Sequence, residues 1–255
     1  MGRFLISTLQ LILMMTMGYL SFPADGAIPA LQTIAARIAA PGHLRDIAAI
    51  SELEAWAVSE RGFALHTTDA GKTWESQPLD VNVPLRALAF ADARSGFIVG
   101  NSGLLLATND GGRSWKRHSM PARNQLTSVI AIGEQAWVTG YWGLILRTAD
   151  GGRTWQRKQV ANQPLEGIFF LNSRLGWAVG WYGLILHTDD GGETWKRQTV
   201  PRAARTLNAI YFRDERHGWA VGTLGLILRT DDGGKTWKQQ ASPLADKFTD
   251  IVFTS

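Results

Sequence analysis

The stretch Leu175-Gly-Trp-Ala-Val-Gly-Trp-Tyr-Gly-Leu-Ile-Leu-His-Thr-Asp-Asp-Gly-Gly-Glu-Thr-Trp195 decides the fold of this 255-residue chain. Copies of it recur along the sequence, and each copy ends in a phrase of the type Thr-x-Asp-x-Gly-x-Thr/Ser-Trp. The tryptophans that close these phrases are spaced 41, 40, 40 and 42 residues apart, at Trp74, Trp115, Trp155, Trp195 and Trp237. A repeat of this period is typical of a chain built from stacked copies of one supersecondary unit.

Each repeat predicts a four-stranded antiparallel meander. Short runs rich in Val, Ile, Leu, Trp and Phe are separated by Gly, Asn and Asp, which favour turns. A sheet of this kind, about 40 residues long, is a propeller blade. We therefore expect an all-β fold, a β-propeller with five full repeats. The repeats lie near residues 44–84, 85–124, 125–164, 165–205 and 206–247.

The end of the chain predicts a sixth blade that is incomplete. A further first strand is expected at Phe248-Thr-Asp-Ile-Val-Phe253, but only residues 248–255 are left for this blade. Residues 28–43 are an alternative source of strands that would pair with this tail and close the ring. Of the two, we favour the incomplete ring, which would leave strand edges exposed.

The recurrent aspartate is expected to lock the turn between the third and fourth strands of each blade. Its carboxylate can accept hydrogen bonds from the turn, and the glycine two residues later permits a positive φ. The tryptophan that follows can wedge between neighbouring sheets. These structural residues are Asp69, Gly71, Trp74, Asp110, Gly112, Trp115, Asp150, Gly152, Trp155, Asp190, Gly192, Trp195, Asp232, Gly234 and Trp237. Because successive blades diverge around a ring, the aspartates are not expected to meet in a metal site or an acid/base pair.

The N-terminus predicts export. Residues 4–20 are apolar and follow Arg3, and small residues precede a possible cleavage site after Gly26. We expect a signal peptide over residues 1–26, a lead-in segment over 27–43 and the propeller over 44–255. The alternative is an uncleaved N-terminal anchor. The chain has no cysteine and a net charge of +4 without a basic run, so a nucleic-acid role is not expected.

One face of the propeller is expected to bind protein. The hairpins between second and third strands share a face with the crossovers between blades. Aromatic residues beside arginine are typical of binding hot spots. The hairpins supply Tyr141, Trp142, Trp181 and Tyr182, the crossovers supply Arg123, Arg202 and Arg205, and the innermost strands supply Arg45, Arg86, Glu166 and Asn208 near the central opening. The alternative is that the aromatic rings cap the blade ends and the arginines solvate loops.

Catalytic chemistry has little support in the sequence. The five histidines have no metal-ligand spacing, and no nucleophile motif or phosphate loop occurs. No catalytic residue, metal or cofactor is predicted.

The phrases Gly218-Trp-Ala-Val-Gly222, Gly225-Leu-Ile-Leu-Arg-Thr230 and Asp231-Asp-Gly-Gly-Lys-Thr-Trp237 resemble the Asp-box (BNR) repeats of the photosystem II stability/assembly-factor family. The resemblance implies a non-enzymatic propeller that docks on a membrane-protein complex or assembly intermediate, with peripheral membrane association. Members are generally seven-bladed with a basic patch, whereas this chain has five full repeats and dispersed arginines. The expected location is the periplasm, or the thylakoid lumen in a phototroph.

Two other functions remain open from the sequence. One is a periplasmic accessory of an envelope transport complex. The other is a sialidase-like glycoside hydrolase, because such enzymes also carry Asp boxes. That enzyme class needs a tyrosine nucleophile and an Arg-Ile-Pro type segment. Outside the predicted signal this chain has only Tyr141, Tyr182 and Tyr211, and it has no Arg-Ile-Pro.

Overall fold

The computed structural model describes residues 43–118, 124–200, 205–251 and 253. The predicted signal peptide and residues 27–42 of the lead-in lie outside this part of the chain. Contacts divide the chain into two compact units. Unit 1 is described over residues 43–118 and unit 2 over residues 124–200, 205–251 and 253. Within these ranges no helix is long and apolar enough to cross a membrane.

Unit 1 contains two antiparallel sheets of four strands each, with the strands in chain order. Sheet 1 consists of β1 (Leu44–Ala49), β2 (Ala55–Ser59), β3 (Ala64–Thr67) and β4 (Glu75–Gln77). Sheet 2 consists of β5 (Leu85–Phe90), β6 (Gly96–Gly100), β7 (Leu105–Thr108) and β8 (Lys116–His118).

Unit 2 contains three sheets of the same topology. Sheet 3 consists of β9 (Leu126–Ile132), β10 (Gln135–Gly140), β11 (Leu144–Thr148) and β12 (Gln156–Gln159). Sheet 4 consists of β13 (Leu165–Phe170), β14 (Gly176–Gly180), β15 (Ile185–Thr188) and β16 (Lys196–Arg197). Sheet 5 consists of β17 (Leu207–Phe212), β18 (Gly218–Gly222), β19 (Ile227–Thr230) and β20 (Lys238–Gln240). Five four-stranded meanders are five propeller blades, so the predicted all-β propeller class is confirmed.

Aromatic side chains fill the interfaces between neighbouring sheets within each unit. In unit 1, the ring of Trp56 on β2 lies 5.7 Å from the ring of Trp115, and both contact Phe90 of β5. In unit 2 the corresponding clusters are Trp137, Phe170 and Trp195, then Trp177, Phe212 and Trp237. The tryptophan of the second strand is at most 1% exposed in all three clusters, and Phe212 is equally buried in the third. Of the tryptophans that close the repeats only Trp237 is buried, and the other four are half-buried.

The aspartate turns have one hydrogen-bonding pattern in all five sheets. In sheet 3, Asp150 Oδ1 accepts from the Thr148 hydroxyl at 2.7 Å and from the Thr154 amide at 2.9 Å, and Oδ2 accepts from the Thr154 hydroxyl at 2.6 Å. The Gly152 amide donates to the Thr148 hydroxyl at 2.9 Å, and the φ of Gly152 is 85°. The same bonds recur at Asp69, Asp110, Asp190 and Asp232.

Hydrogen bonding in these turns favours the ionised carboxylate. The largest contribution comes from the hydroxyl four residues after each aspartate. The pKa is lowered to about 2 at Asp69, Asp110, Asp150 and Asp232. The pKa of Asp190 is lowered for the same reason. In the part of the chain that is described, no three potential metal-binding side chains come together.

The tail after sheet 5 packs on that sheet without forming a strand over residues 248–251 and 253. Phe248 and Ile251 are buried against Trp219, and the Phe248 amide donates to the Gly222 carbonyl at 3.0 Å. Asn208, expected near a central opening, donates its side-chain amide to the Phe248 carbonyl at 2.6 Å. The incomplete sixth blade stays a prediction.

Candidate protein-binding surface

Three hairpin tips in unit 2 carry bulky side chains on left-handed backbone. The tips are the 3-10 turns Tyr141–Gly143, Trp181–Gly183 and Thr223–Gly225. Their central residues are Trp142, Tyr182 and Leu224, with φ of 61°, 57° and 55°. These side chains are 64%, 60% and 60% exposed. Bulky residues rarely adopt this conformation, which costs about 1–2 kcal/mol for a residue with a Cβ.

The turn geometry follows from the local sequence. In sheet 3, the amide of Leu144 donates to the Tyr141 carbonyl and closes the turn. Gly143 also has a positive φ of 63°, and a Cβ at this position would overlap the backbone of Ala161. The hairpin therefore turns tightly against the segment that follows β12, and the side chain of Trp142 is exposed.

Behind the exposed tips lies a second layer of aromatic rings. Tyr141 and Trp181 are half-buried and meet edge to face, with ring centroids 6.1 Å apart. Trp181 also meets Tyr182 edge to face at 6.2 Å. The indole N–H of Trp181 donates to Glu166 Oε1 at 2.7 Å, which fixes the ring. Glu166 is thus a support for the aromatic layer.

Arg205 connects two of the tips. Its carbonyl accepts from the Gly183 amide at 2.8 Å, and its guanidinium donates to the Leu224 carbonyl at 3.0 Å. The side chain is exposed, so the remaining guanidinium N–H groups face solvent beside the apolar tips. We call the group Tyr141, Trp142, Trp181, Tyr182, Arg205 and Leu224 the hairpin-tip surface.

The structure brings together five of the nine residues predicted to bind. Arg45 and Arg86 lie in unit 1, each as the extra residue of a β-bulge in the first strand of its sheet. Arg45 forms an ion pair with Glu60 at 2.8 Å, and Arg86 donates to Asn101 Oδ1 at 3.1 Å. Arg123 and Arg202 lie outside the described residues.

The aromatic and arginine pattern that predicts the binding face does not identify Leu224. Alignment of the repeats identifies Leu224, because it occupies the same repeat position as Trp142 and Tyr182. The same position in sheet 2 holds Ser102, also left-handed at φ 57°. The strained geometry is therefore common to four hairpins, and only unit 2 uses it to expose apolar side chains.

The five sheets with their Asp-box turns define the class of this protein as an Asp-box β-propeller. The family model of photosynthesis system II assembly factor YCF48 matches residues 76–167, 137–204 and 199–255. The chain belongs to this family, and the resemblance predicted from the repeats is confirmed. Among curated proteins no sequence matches.

Solved structures agree with the propeller fold. YCF48 from Cyanidioschyzon merolae is 20% identical, with 79% of this chain and 86% of that chain covered and a TM-score of 0.55. The WD40 repeats of RRP9 are 9% identical, with 82% and 68% covered and a TM-score of 0.69. YCF48 bound to D1 peptide is 21% identical, with 78% and 81% covered and a TM-score of 0.45. For the first two structures, the similarity at these identities shows the fold alone.

Proposed function

We propose that this chain is a non-enzymatic assembly factor that holds a segment of a photosystem II membrane protein on its hairpin-tip surface. The observation that carries the proposal is the set of three bulky side chains held exposed on strained backbone in successive blades. Strain of this kind persists when the surrounding structure imposes it, and it concentrates at functional sites. A glycine or an asparagine would relieve the strain.

The chemistry of the surface suits an extended protein segment. Exposed Trp142, Tyr182 and Leu224 offer apolar contact area, and the ordered rings of Tyr141 and Trp181 support it from behind. Arg205 offers guanidinium donors for a backbone carbonyl or a carboxylate of the partner. Aromatic residues with arginine supply most of the binding energy in protein interfaces.

Membership of the YCF48 family supports the choice of partner. The family is described as a photosynthesis system II assembly factor, and the D1 peptide bound by one YCF48 supplies a probe. The predicted signal peptide over residues 1–26 would deliver the propeller to the periplasm or the thylakoid lumen. There it would meet the exported loops of a membrane protein and associate with the membrane through that partner.

Binding of a fluorescent D1 peptide tests the proposal. The variant Trp142→Ser with Tyr182→Ser removes two exposed tips and leaves the half-buried Trp181 and its bond to Glu166 in place. We expect at least a tenfold weaker Kd by fluorescence anisotropy, with an unchanged circular dichroism spectrum. The matched control is Leu53→Ser, which removes an exposed apolar side chain of unit 1 that is 59% accessible. Equal affinity of the double variant and the control would refute the surface, and a wild-type chain that does not bind the peptide would refute the partner.

A further inference from the structure

A cleft in unit 1 lies between sheets 1 and 2, beside the aspartate turn of sheet 2. Its volume is about 790 Å³. Trp56 and His66 form its wall on sheet 1, and Arg94 and the turn residues Asp110 and Arg113 form its wall on sheet 2. Trp56 is 1% exposed, and its indole N–H has no hydrogen-bond partner among the described residues. The cleft therefore combines open space with a buried donor that the protein itself does not satisfy.

The charges in the cleft leave two guanidinium groups unpaired. His66 Nε2 lies 2.9 Å from Glu54 Oε1, so these two side chains satisfy each other. Both oxygens of Asp110 accept hydrogen bonds inside their own turn. Arg94 and Arg113 are exposed, and neither forms an ion pair with a described residue. Arg94 Nε donates to the Asn109 carbonyl at 3.4 Å, which leaves its terminal N–H groups for a ligand. Guanidinium binds carboxylate in a bidentate geometry.

The equivalent position between sheets 3 and 4 carries an internal ion pair. There the repeat position of His66 is Arg147, and that of Arg113 is Glu193. The carboxylate of Glu193 pairs with Arg147 and accepts from Lys158 Nζ at 2.6 Å. A carboxylate from the turn of sheet 4 thus bridges to sheet 3. In unit 1 the same turn position carries Arg113, with the opposite charge.

A different polar group, the side chain of Gln198, bridges sheets 4 and 5. The Gln198 side chain donates to the Gly233 carbonyl at 3.1 Å and accepts from the Trp237 indole at 3.1 Å. Both positions in unit 2 therefore contain a polar group that bridges the two sheets. In unit 1 the repeat equivalent of Gln198 is Gln77, which lines the cleft. Among the described residues no such bridge closes the unit 1 cleft.

We propose that the unit 1 cleft binds the carboxylate side chain of an acidic peptide. The charges are reversed relative to unit 2, because in unit 1 the turn supplies the guanidinium and the peptide supplies the carboxylate. Arg113 and Arg94 hold the carboxylate at the mouth of the cleft. This site lies wholly in unit 1, and it does not depend on the hairpin-tip surface or on the partner proposed for it.

The experiment uses the full chain and two peptides, acetyl-Gly-Glu-Gly-Glu-Gly-amide and its glutamine counterpart. Binding is followed through the indole N–H resonance of Trp56 in ¹H–¹⁵N NMR spectra, assigned with Trp56→Phe. The test variant is Arg113→Glu, because a glutamate is the residue found at this position in sheet 4. The matched control is Lys235→Glu, which makes the same charge change at the equivalent turn position of sheet 5.

The glutamate peptide is expected to shift the Trp56 resonance in a saturable way, and the glutamine peptide is not. Arg113→Glu should weaken binding at least tenfold, whereas Lys235→Glu should change it less than twofold. Equal shifts with both peptides, unchanged binding to Arg113→Glu, or equal loss in Lys235→Glu would overturn the proposal. It would also be overturned if vesicles of phosphatidylglycerol shift the Trp56 resonance and the glutamate peptide does not.

Discussion

Two equivalent tryptophans allow the energy of one interface hydrogen bond to be isolated. Trp137 and Trp177 occupy the same position in sheets 3 and 4, are 0% and 1% exposed, and stack on Phe170 and Phe212 at 3.7 and 3.6 Å. The indole N–H of Trp137 donates to the Gly191 carbonyl at 2.8 Å, whereas that of Trp177 has no described partner. Replacement of each by phenylalanine removes similar apolar surface and differs in the hydrogen bond.

The expected magnitudes follow from these contacts. Loss of about 40 Å² of buried ring surface costs about 1 kcal/mol in either variant, and the cavity adds about another 1 kcal/mol. Trp137→Phe also leaves the buried Gly191 carbonyl unsatisfied, at about 1–3 kcal/mol. Trp177→Phe removes an unsatisfied donor and regains about 1 kcal/mol. We expect Trp137→Phe to be less stable than Trp177→Phe by about 2–4 kcal/mol.

Thermal and urea unfolding followed by circular dichroism measure this difference. For a protein of this size, about 2–4 kcal/mol corresponds to roughly 4–16 °C in Tm. Both substitutions lie in unit 2, so each reports on the same unit. Equal destabilisation of the two variants, or greater loss in Trp177→Phe, would refute the assignment of the Trp137 hydrogen bond as a stabilising link between sheets 3 and 4.

Three further predictions concern pH and strain. Hydrogen bonds in the aspartate turns lower the folded pKa of four carboxylates to about 2, and they lower that of Asp190 as well, from an ordinary value of about 3.9. The unfolded chain therefore binds more protons between these values, and stability measured as Tm should fall as pH drops through this range. A Tm that stays flat there would contradict the turn geometry. Burial raises the pKa of Asp46 to about 7, although hydrogen bonds from the amides of Leu88 and Ile47 lower it in part. Between about pH 4 and pH 7 the folded chain therefore keeps a proton that the unfolded chain releases. Stability from this group is therefore lost as pH rises from about 4 to 7, and Asp46→Asn should reduce that slope in a Tm series; an unchanged slope would assign it to other groups. The double variant Trp142→Asn with Tyr182→Asn should change the free energy of unfolding by less than about 1 kcal/mol per site, because relief of left-handed strain offsets the lost partial burial. A larger loss in urea unfolding would show that the tips stabilise the fold.

The sequence predicts the fold well because its information is periodic. The spacing of the closing tryptophans gives the number of blades, and Asp150 with Thr148 and Gly152 makes a turn whose bonds are all local. The degree of burial is less predictable. The repeat phrase singles out the tryptophan after the turn. In sheets 1, 3 and 4 the tryptophan of the second strand is more buried, because that strand is covered on both faces, whereas in sheet 5 Trp237 is more buried than Trp219.

The candidate site is predictable only in part. The aromatic tips follow from hairpin position, whereas Leu224 is apolar like the strand residues around it and is recognised only by register and backbone conformation. Arg45 and Arg86 were grouped with the tips by charge, but each has a polar partner within its own sheet. The unit 1 cleft is formed by residues from two repeats. Its positive charge at Arg113 is recognised only by comparison with Glu193, the residue at the equivalent position of sheet 4.

Site-specific photo-crosslinking in the native membrane tests the central claim most directly. A photoreactive amino acid is placed at position 142 or 224 of the hairpin-tip surface, and at exposed position 153 in an aspartate turn as the control. The account predicts crosslinks from positions 142 and 224 to D1 or another photosystem II subunit, and none from position 153. Crosslinks to such a subunit from position 153 alone, or from none of the three positions, would contradict it.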